Sequence, residues 1–123
     1  MYTGIVKVLK VFLGIFAIGG LIVLYTQLNQ PKQPIFILMK KDQFEPATIQ
    51  IKKGTKVIFK NEDSDPRWPA SNLHPTHGIY PQFDPTLPIE PGKEWSFIFN
   101  QVGNWKYHDH LSPSLRGQVT VIQ

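Results

Sequence analysis

The chain contains no cysteine among its 123 residues. It can therefore form no disulfide, and it has no thiolate with which to bind a metal ion. Of its 13 lysines and arginines, Lys7 and Lys10 lie in the N-terminal segment, which leaves eleven to face nine aspartates and glutamates in the rest of the chain. A surplus of +2 spread along about 95 residues is too weak to predict nucleic acid as a partner.

Histidine is scarce as well, and its distribution is uneven. All four histidines fall into two short clusters, residues 74–77 (His-Pro-Thr-His) and residues 108–110 (His-Asp-His). Imidazole is a common ligand for transition metals, and zinc and copper sites are often built from small groups of histidines. Both clusters lie beside turn residues, so we predict one metal site assembled from two distant loops. The alternative is that surface loops carry these histidines by chance.

The N-terminal segment, residues 4–28, consists mostly of Ile, Val, Leu, Phe, Gly and Ala. Its uncharged part, residues 11–25, is shorter than the roughly 20 residues that a helix needs to cross a bilayer. The segment reaches that length if the residues before it are included and Lys7 and Lys10 extend their side chains to the interface. We therefore predict that residues 1–28 form a membrane anchor, an N-terminal transmembrane helix.

A secretory signal peptide is the alternative interpretation of residues 1–28, because such peptides also combine basic residues with an apolar run. Cleavage would require a small-x-small motif after that run, and residues 26–30 contain none. We therefore expect an uncleaved anchor. The lysines before the apolar run predict a cytoplasmic N-terminus, which places the remaining chain on the extracytoplasmic side, in the periplasm or at the cell surface.

Residues 29–34 are predicted to be a short, stiff linker, and residues 35–123 a single β domain. Within residues 65–92 there are seven prolines, which exclude a central strand and predict a long loop, with one short strand near residues 78–80. Loops of this length in compact domains usually serve function. Apolar runs and alternating apolar residues predict strands at 35–39, 47–52, 55–60, 95–100, 105–108 and 118–122. Short strands at this spacing indicate an all-β sandwich.

The order of several motifs resembles that of the cupredoxin family, the small copper-binding β-sandwiches. The matching stretches lie between residues 35 and 122, at 44–49, 53–57, 60–63, 83–85, 89–92, 97–99, 103–108 and 117–121. The resemblance implies that residues 35–123 form a cupredoxin-like Greek-key β-sandwich that binds copper. However, Asp109, Ser112 and Leu115 stand where a blue-copper member carries Cys, His and Met. A blue-copper centre needs the Cys sulfur, so the chain cannot build one in the usual place.

The segment from Tyr107 to His110 is similar instead to the Tyr-His-x-His stretch of multicopper oxidases, whose two histidines bind non-blue copper. In an extended segment residues i and i+2 point the same way, so His108 and His110 would share one face while Asp109 points away. The cluster His74-x-x-His77 would correspond to the first His-x-His of those oxidases, with one additional residue between the two histidines.

The resemblance thus implies a copper site whose candidate ligands are His74, His77, His108 and His110. Zinc is the second choice, because imidazole ligands without thiolate bind Cu(II) most tightly among the divalent metals, with Zn(II) next. We expect Asp109 to accept a hydrogen bond that fixes the tautomer of an imidazole, although it could also be a ligand or a solvated turn residue. Asp84, before a proline, is expected in an Asx turn.

Four aromatic residues could wall the candidate site and exclude water: Trp68, Tyr80, Trp105 and Tyr107. Core packing is the favoured interpretation for Trp105, and the other assignments stay open.

Three functions agree with such a site. The domain could bind copper and deliver it to a protein partner, or it could transfer electrons to a redox partner. As a homo-oligomer it could form an oxidase-like enzyme, since two chains supply eight histidines, the number used by a three-copper cluster. An enzyme is disfavoured because no blue copper is present to supply electrons. A metal-free structural or interaction domain is a fourth alternative, from a different class.

Overall fold

The computed structural model describes residues 2–28 and 33–123, which belong to two separate compact units. In the first unit, helix α1 runs from Tyr2 to Leu28, within a stretch that has no proline to interrupt helical hydrogen bonding. Among the residues described, no helix combines the length and the hydropathy needed to cross a bilayer. The transmembrane anchor therefore stays a prediction, and most of the predicted linker, residues 29–32, lies outside the described residues.

The second unit is a sandwich of two four-stranded β-sheets. One sheet has the strand order β2-β1-β4-β6 and the other the order β3-β8-β7-β5. The pairs β1–β4 and β3–β8 are parallel and the other pairs antiparallel, which confirms the all-β sandwich. The strands are β1 (Ile35–Met39), β2 (Phe44–Glu45), β3 (Thr48–Lys52), β4 (Thr55–Asn61), β5 (Pro69–Ser71), β6 (Glu94–Phe99), β7 (Gly103–Asp109) and β8 (Ser112–Ile122).

Two strand predictions were wrong in position. The short strand of the proline-rich loop is β5, not residues 78–80, and it pairs with β7 at the edge of its sheet. Pro69 is its first residue, a place where a missing N–H group is tolerated. Strand β8 begins at Ser112, six residues before the predicted start, because it continues its pairing with β7 almost to the end of the hairpin.

The core between the sheets is rich in aromatic side chains. Phe59 of β4 lies with its ring 5.6 Å from that of Tyr107 and 5.5 Å from that of Phe83. Phe83 and Tyr80 belong to the proline-rich loop, and both are buried. The loop is also held by the Asn61 amide, which donates to the carbonyl groups of Asp65 and Ile89 at 2.8 and 2.9 Å. The long loop is therefore anchored in the core on both sides of the His74–His77 cluster.

One core contact requires a glycine. Gly117 of β8 lies directly opposite Tyr107 of β7, and a Cβ atom at position 117 would overlap with the Tyr107 ring. The ring is fully buried between both sheets and cannot move aside without disturbing Phe44 and Phe59, against which it packs.

We expect Gly117→Ala to lower the free energy of unfolding by about 1–3 kcal/mol, the usual cost of overpacking a core. Gly78→Ala is the matched control, because the nearest neighbour of the added Cβ, the Thr76 hydroxyl, is 3.5 Å away. That change should stay within about 0.5 kcal/mol of the parent. Urea unfolding of the two variants measures the difference, and equal stabilities would contradict this packing.

Candidate metal centre

The structure brings the four histidines together at one end of the sandwich. His74 and His77 lie in the loop after β5, His108 lies near the end of β7, and His110 follows that strand. One ring nitrogen of each histidine lies within 4.8 Å of those of the other three. The two clusters, far apart in sequence, thus form one group of candidate ligand atoms within a single chain, as the sequence predicted.

The contacts between the rings show which nitrogen atoms face the centre of the group. Nδ1 of His74 lies 3.2 Å from Nε2 of His108, and Nε2 of His77 lies 2.9 Å from Nδ1 of His110. The ring centres of His74 and His110 are 4.8 Å apart. These four nitrogens are therefore the ones placed to share a metal ion.

Two of the rings are held from behind by hydrogen bonds. Nδ1 of His77 lies 2.6 Å from a carboxylate oxygen of Asp84, and Nδ1 of His108 lies 3.0 Å from the side-chain oxygen of Asn72. Because both partners accept, each Nδ1 carries the hydrogen, and the lone pair is on the Nε2 that faces the group. Such hydrogen bonds behind a ligand fix the tautomer and the orientation of the ring.

Asp84 forms the Asx turn predicted for it and also contacts two side chains of the site. That turn is present, since its Oδ1 accepts from the N–H of Thr86 at 2.7 Å. The same carboxylate also accepts from Nε1 of Trp68 at 2.8 Å, while its other oxygen contacts His77. Although burial acts to raise the pKa of Asp84, the hydrogen bonds from His77, Thr86 and Trp68 hold that pKa below its usual value. Asp84 therefore stays ionised behind His77.

No sequence motif indicated that Asp84 or Asn72 would contact a histidine. Both lie in the long loop, outside the histidine motifs, and both residue types are common in turns for local reasons. Only the path of the loop around β5 places them behind the two rings.

Asp109 does not have the role that we expected. Its carboxylate accepts from Nη1 of Arg67 at 2.9 Å, from the N–H of Trp68 at 2.9 Å and from the N–H of Leu111 at 3.1 Å. Among the hydrogen bonds of residues 33–123, none joins Asp109 to a histidine. As a residue between two same-facing neighbours it points to the opposite side, so the imidazole-orienting carboxylate is Asp84 instead.

Trp68 is the aromatic wall of the site. Its ring centre lies 4.7 Å from that of His110 and 6.4 Å from that of His77. Tyr80 packs against Trp105 with ring centres 4.7 Å apart, and Tyr107 packs on Phe44 and Phe59. Those three therefore belong to the core, as expected for Trp105.

Burial differs among the histidines and affects their protonation. His77 and His108 are 5% and 2% exposed, His110 is half-buried and His74 is exposed. Burial, together with the neighbouring histidines, lowers the pKa of His108 to about 4. The same two causes lower the pKa of His110. His108 and His110 are thus neutral at pH 7, the state in which an imidazole can donate a lone pair to a metal.

The donor set decides which metal fits. Four imidazole nitrogens without sulfur suit Cu(II) first and Zn(II) second among divalent ions. The positions of the missing blue-copper ligands are occupied otherwise: Asp109 is buried in an ion pair with Arg67, and Leu115 packs against the core. The residues present therefore fit a non-blue copper ion held by His74, His77, His108 and His110.

Comparison with known proteins gives the same fold. The sequence profile of the cupredoxin-like domain matches residues 14–121. A reduced amicyanin mutant is 20% identical with a TM-score of 0.62, over 77% of this chain and 88% of that chain. A purple cupredoxin from Nitrosopumilus maritimus is 25% identical with a TM-score of 0.63, over 72% of this chain and 99% of that chain.

A copper-containing nitrite reductase from Thermus scotoductus is 20% identical with a TM-score of 0.62. The likeness covers 76% of this chain but 23% of the reductase chain, so it concerns one domain of a larger protein. No curated protein matches the chain significantly. Together these comparisons confirm the cupredoxin-like sandwich expected from the motifs.

We expect Asp84→Asn to weaken Cu(II) binding about 10- to 100-fold, because the substitution removes the charge that fixes the His77 tautomer. Competition with a chelator of known affinity measures the loss.

Asp63→Asn is the matched control, since it neutralises a carboxylate that pairs with Arg67 and that no hydrogen bond of the described residues joins to a histidine. It should leave Cu(II) affinity within about threefold, less than the usual effect of losing a partner behind a ligand. Equal losses of affinity in the two variants would contradict the assignment of Asp84.

Proposed function

We propose that this chain, which belongs to the family of cupredoxin-like domains, binds one copper ion at a non-blue, all-histidine site. The proposed role of the domain is to hold copper and deliver it to a protein partner. The observation that carries the proposal is the convergence of four imidazole nitrogens within 4.8 Å of one another.

A single chain supplies the complete ligand set. Because a mononuclear site needs no second subunit, this arrangement favours one copper per chain over a shared cluster of eight histidines. The donor atoms are all nitrogen, which supports copper rather than zinc in the divalent order.

Delivery is favoured over storage because the four ligands differ in burial and in the hydrogen bonds that hold them. His77 and His108 are buried and are held from behind by Asp84 and Asn72. His74 is exposed, and no hydrogen bond in the described part of the chain holds its outer nitrogen. An exposed ligand with a free outer face can be displaced by a ligand from a partner, while the buried pair still holds the ion.

Electron transfer is the second candidate, and the burial of His77 and His108 is the observation in its favour. Ligands held by a rigid sandwich change little in position when the oxidation state changes, which favours transfer. Without thiolate, however, the copper would be pale, and the nitrogen donors favour the Cu(II) state.

The first test is copper loading of the full chain. We expect one tightly bound Cu(II) ion per chain, a non-blue electron paramagnetic resonance signal with nitrogen hyperfine structure, and no intense blue absorption. Binding should quench the fluorescence of Trp68, because its ring is next to His110. The Trp68→Phe variant, which keeps Trp95 and Trp105, should bind copper with much less quenching.

Three results would count against the proposal. Absence of a bound Cu(II) signal would support a metal-free scaffold. A ratio well above one copper per chain would support a cluster. A third measurement adds a second copper-binding protein to the loaded chain. Reversible one-electron cycling without transfer of copper to this acceptor would support electron transfer instead of delivery.

The proposal also includes the cell compartment. Lys7 and Lys10 precede the apolar run of the N-terminal segment, an arrangement that keeps the basic end in the cytoplasm. We propose that residues 1–28 anchor the domain to the membrane, with the copper site on the extracytoplasmic side.

Fractionation of cells that express the full chain tests this location. The chain should stay in the membrane fraction after an alkaline wash, and external protease should digest the domain in cells with a permeabilised outer layer. Release by the wash, or protection until the inner membrane is broken, would contradict the anchor or its orientation.

A further inference from the structure

We propose that Arg116 and the cavity beside His74 and His108 form a binding site for a small carboxylate next to the metal. The inference rests on the proposed function, because it assigns a second ligand to the same copper site.

The cavity opens directly onto two of the candidate metal ligands. It has a volume of about 190 Å³ and is lined by Asn72, Leu73, His74, His108, Pro113 and Arg116. Since a water molecule in the liquid takes about 30 Å³, this space accommodates an organic anion of a few non-hydrogen atoms. His74, the exposed ligand, forms part of its wall, so an anion in the cavity would lie beside the most accessible side of the metal site.

Among the residues that the structure describes, Arg116 is the only arginine, lysine or carboxylate side chain that lines this cavity. It lies opposite His108 in the pairing of β7 with β8, and residues opposite each other in an antiparallel pair have Cβ atoms about 5 Å apart. Its Nε donates to the carbonyl group of Pro113 at 3.2 Å. No ion pair of the described residues involves its two terminal nitrogens, which remain available for a ligand.

The surroundings of Arg116 favour an anion. A neighbouring cavity of about 280 Å³ shares Asn72 and Arg116 with the first and adds Lys106, and no carboxylate of the described residues lines either space. A divalent ion at the histidines would add positive charge on the other side. Positive charges that line a cleft attract anions and raise their local concentration.

The shape and polarity of the cavity favour a carboxylate over an inorganic oxyanion. The planar guanidinium group of arginine matches the two oxygens of a carboxylate. Leu73 and Pro113 supply apolar walls, against which a short carbon chain is more favourable than the fully polar surface of sulfate or phosphate. Asn72 also lines the cavity; its side-chain oxygen contacts His108, and its NH₂ group, a further donor, makes no hydrogen bond among the described residues.

The test is a titration of the full chain loaded with one Cu(II) ion. Propionate should change the copper hyperfine splitting in a saturable manner, with a matching calorimetric isotherm. Propionamide, of the same size but uncharged, should leave the spectrum unchanged, and sulfate should bind at least tenfold more weakly than propionate.

Three variants identify the contribution of Arg116. Arg116→Ala should keep one copper per chain and lose at least tenfold in propionate affinity, because a charge-assisted hydrogen bond is removed. Arg116→Lys should recover part of that affinity. Lys106→Ala is the matched control for the loss of a nearby positive charge, and it should alter the affinity by less than about threefold, because Lys106 lines only the neighbouring cavity.

The results separate this inference from the proposed function. If copper binds but propionate has no effect, or if Arg116→Ala and Lys106→Ala lose equally, the carboxylate site is refuted and copper binding stands. If no copper binds, the proposed function fails, and calorimetry on the metal-free chain decides the inference. Propionate binding that depends on Arg116 would then support the cavity as a carboxylate site, and its absence would overturn it.

Discussion

The buried carboxylate of Asp109 connects the two chain segments that carry the histidines. Its two oxygens accept hydrogen bonds from Arg67 and Trp68, which precede the first histidine pair, and from Leu111, which follows the second pair. The carboxylate is fully buried, and a buried charge is tolerated only when paired and hydrogen-bonded. Strand β5 and the end of β7 are therefore held in register at the point where the imidazoles must meet, and the N–H of His110 adds a bond to the carbonyl group of Trp68 at 2.7 Å.

The site that these hydrogen bonds hold together has two kinds of candidate ligand. His77 and His108 are buried, with their hydrogens assigned to the outer nitrogens by Asp84 and Asn72. His74 and His110 are more exposed, and their Nδ1 atoms lie 3.2 and 2.9 Å from Nε2 of His108 and of His77, respectively. The Nε2 atoms of His77 and His108 are oriented toward a shared cation, and one histidine of each kind, His108 and His74, lines the cavity of Arg116.

Much of the fold was predictable because its cause is local. Alternating apolar residues predicted β4 and β6, since one face of each strand packs into the core. The position of β5 was not predictable in this way, because three residues with a proline at the start carry no periodic signal. Its strand conformation arises from pairing with β7, whose partner residues lie 36 to 40 positions further along the chain. The early start of β8 has the same origin, because pairing with β7 extends a strand into polar residues such as Ser112.

Composition and residue spacing are enough to indicate the candidate ligand type. The chain has no thiolate, its four imidazoles occur in two clusters, and the spacing of His108 and His110 directs both rings to one side of an extended segment. The groups that lie behind and beside those rings depend instead on how the folded chain packs. Asp84 and Asn72 reach them because Tyr80 and Phe83 anchor the long loop in the core, and Arg116 adjoins the site because β8 pairs with β7. Such contacts depend on how distant segments pack together, and packing between segments leaves no periodic trace in either one.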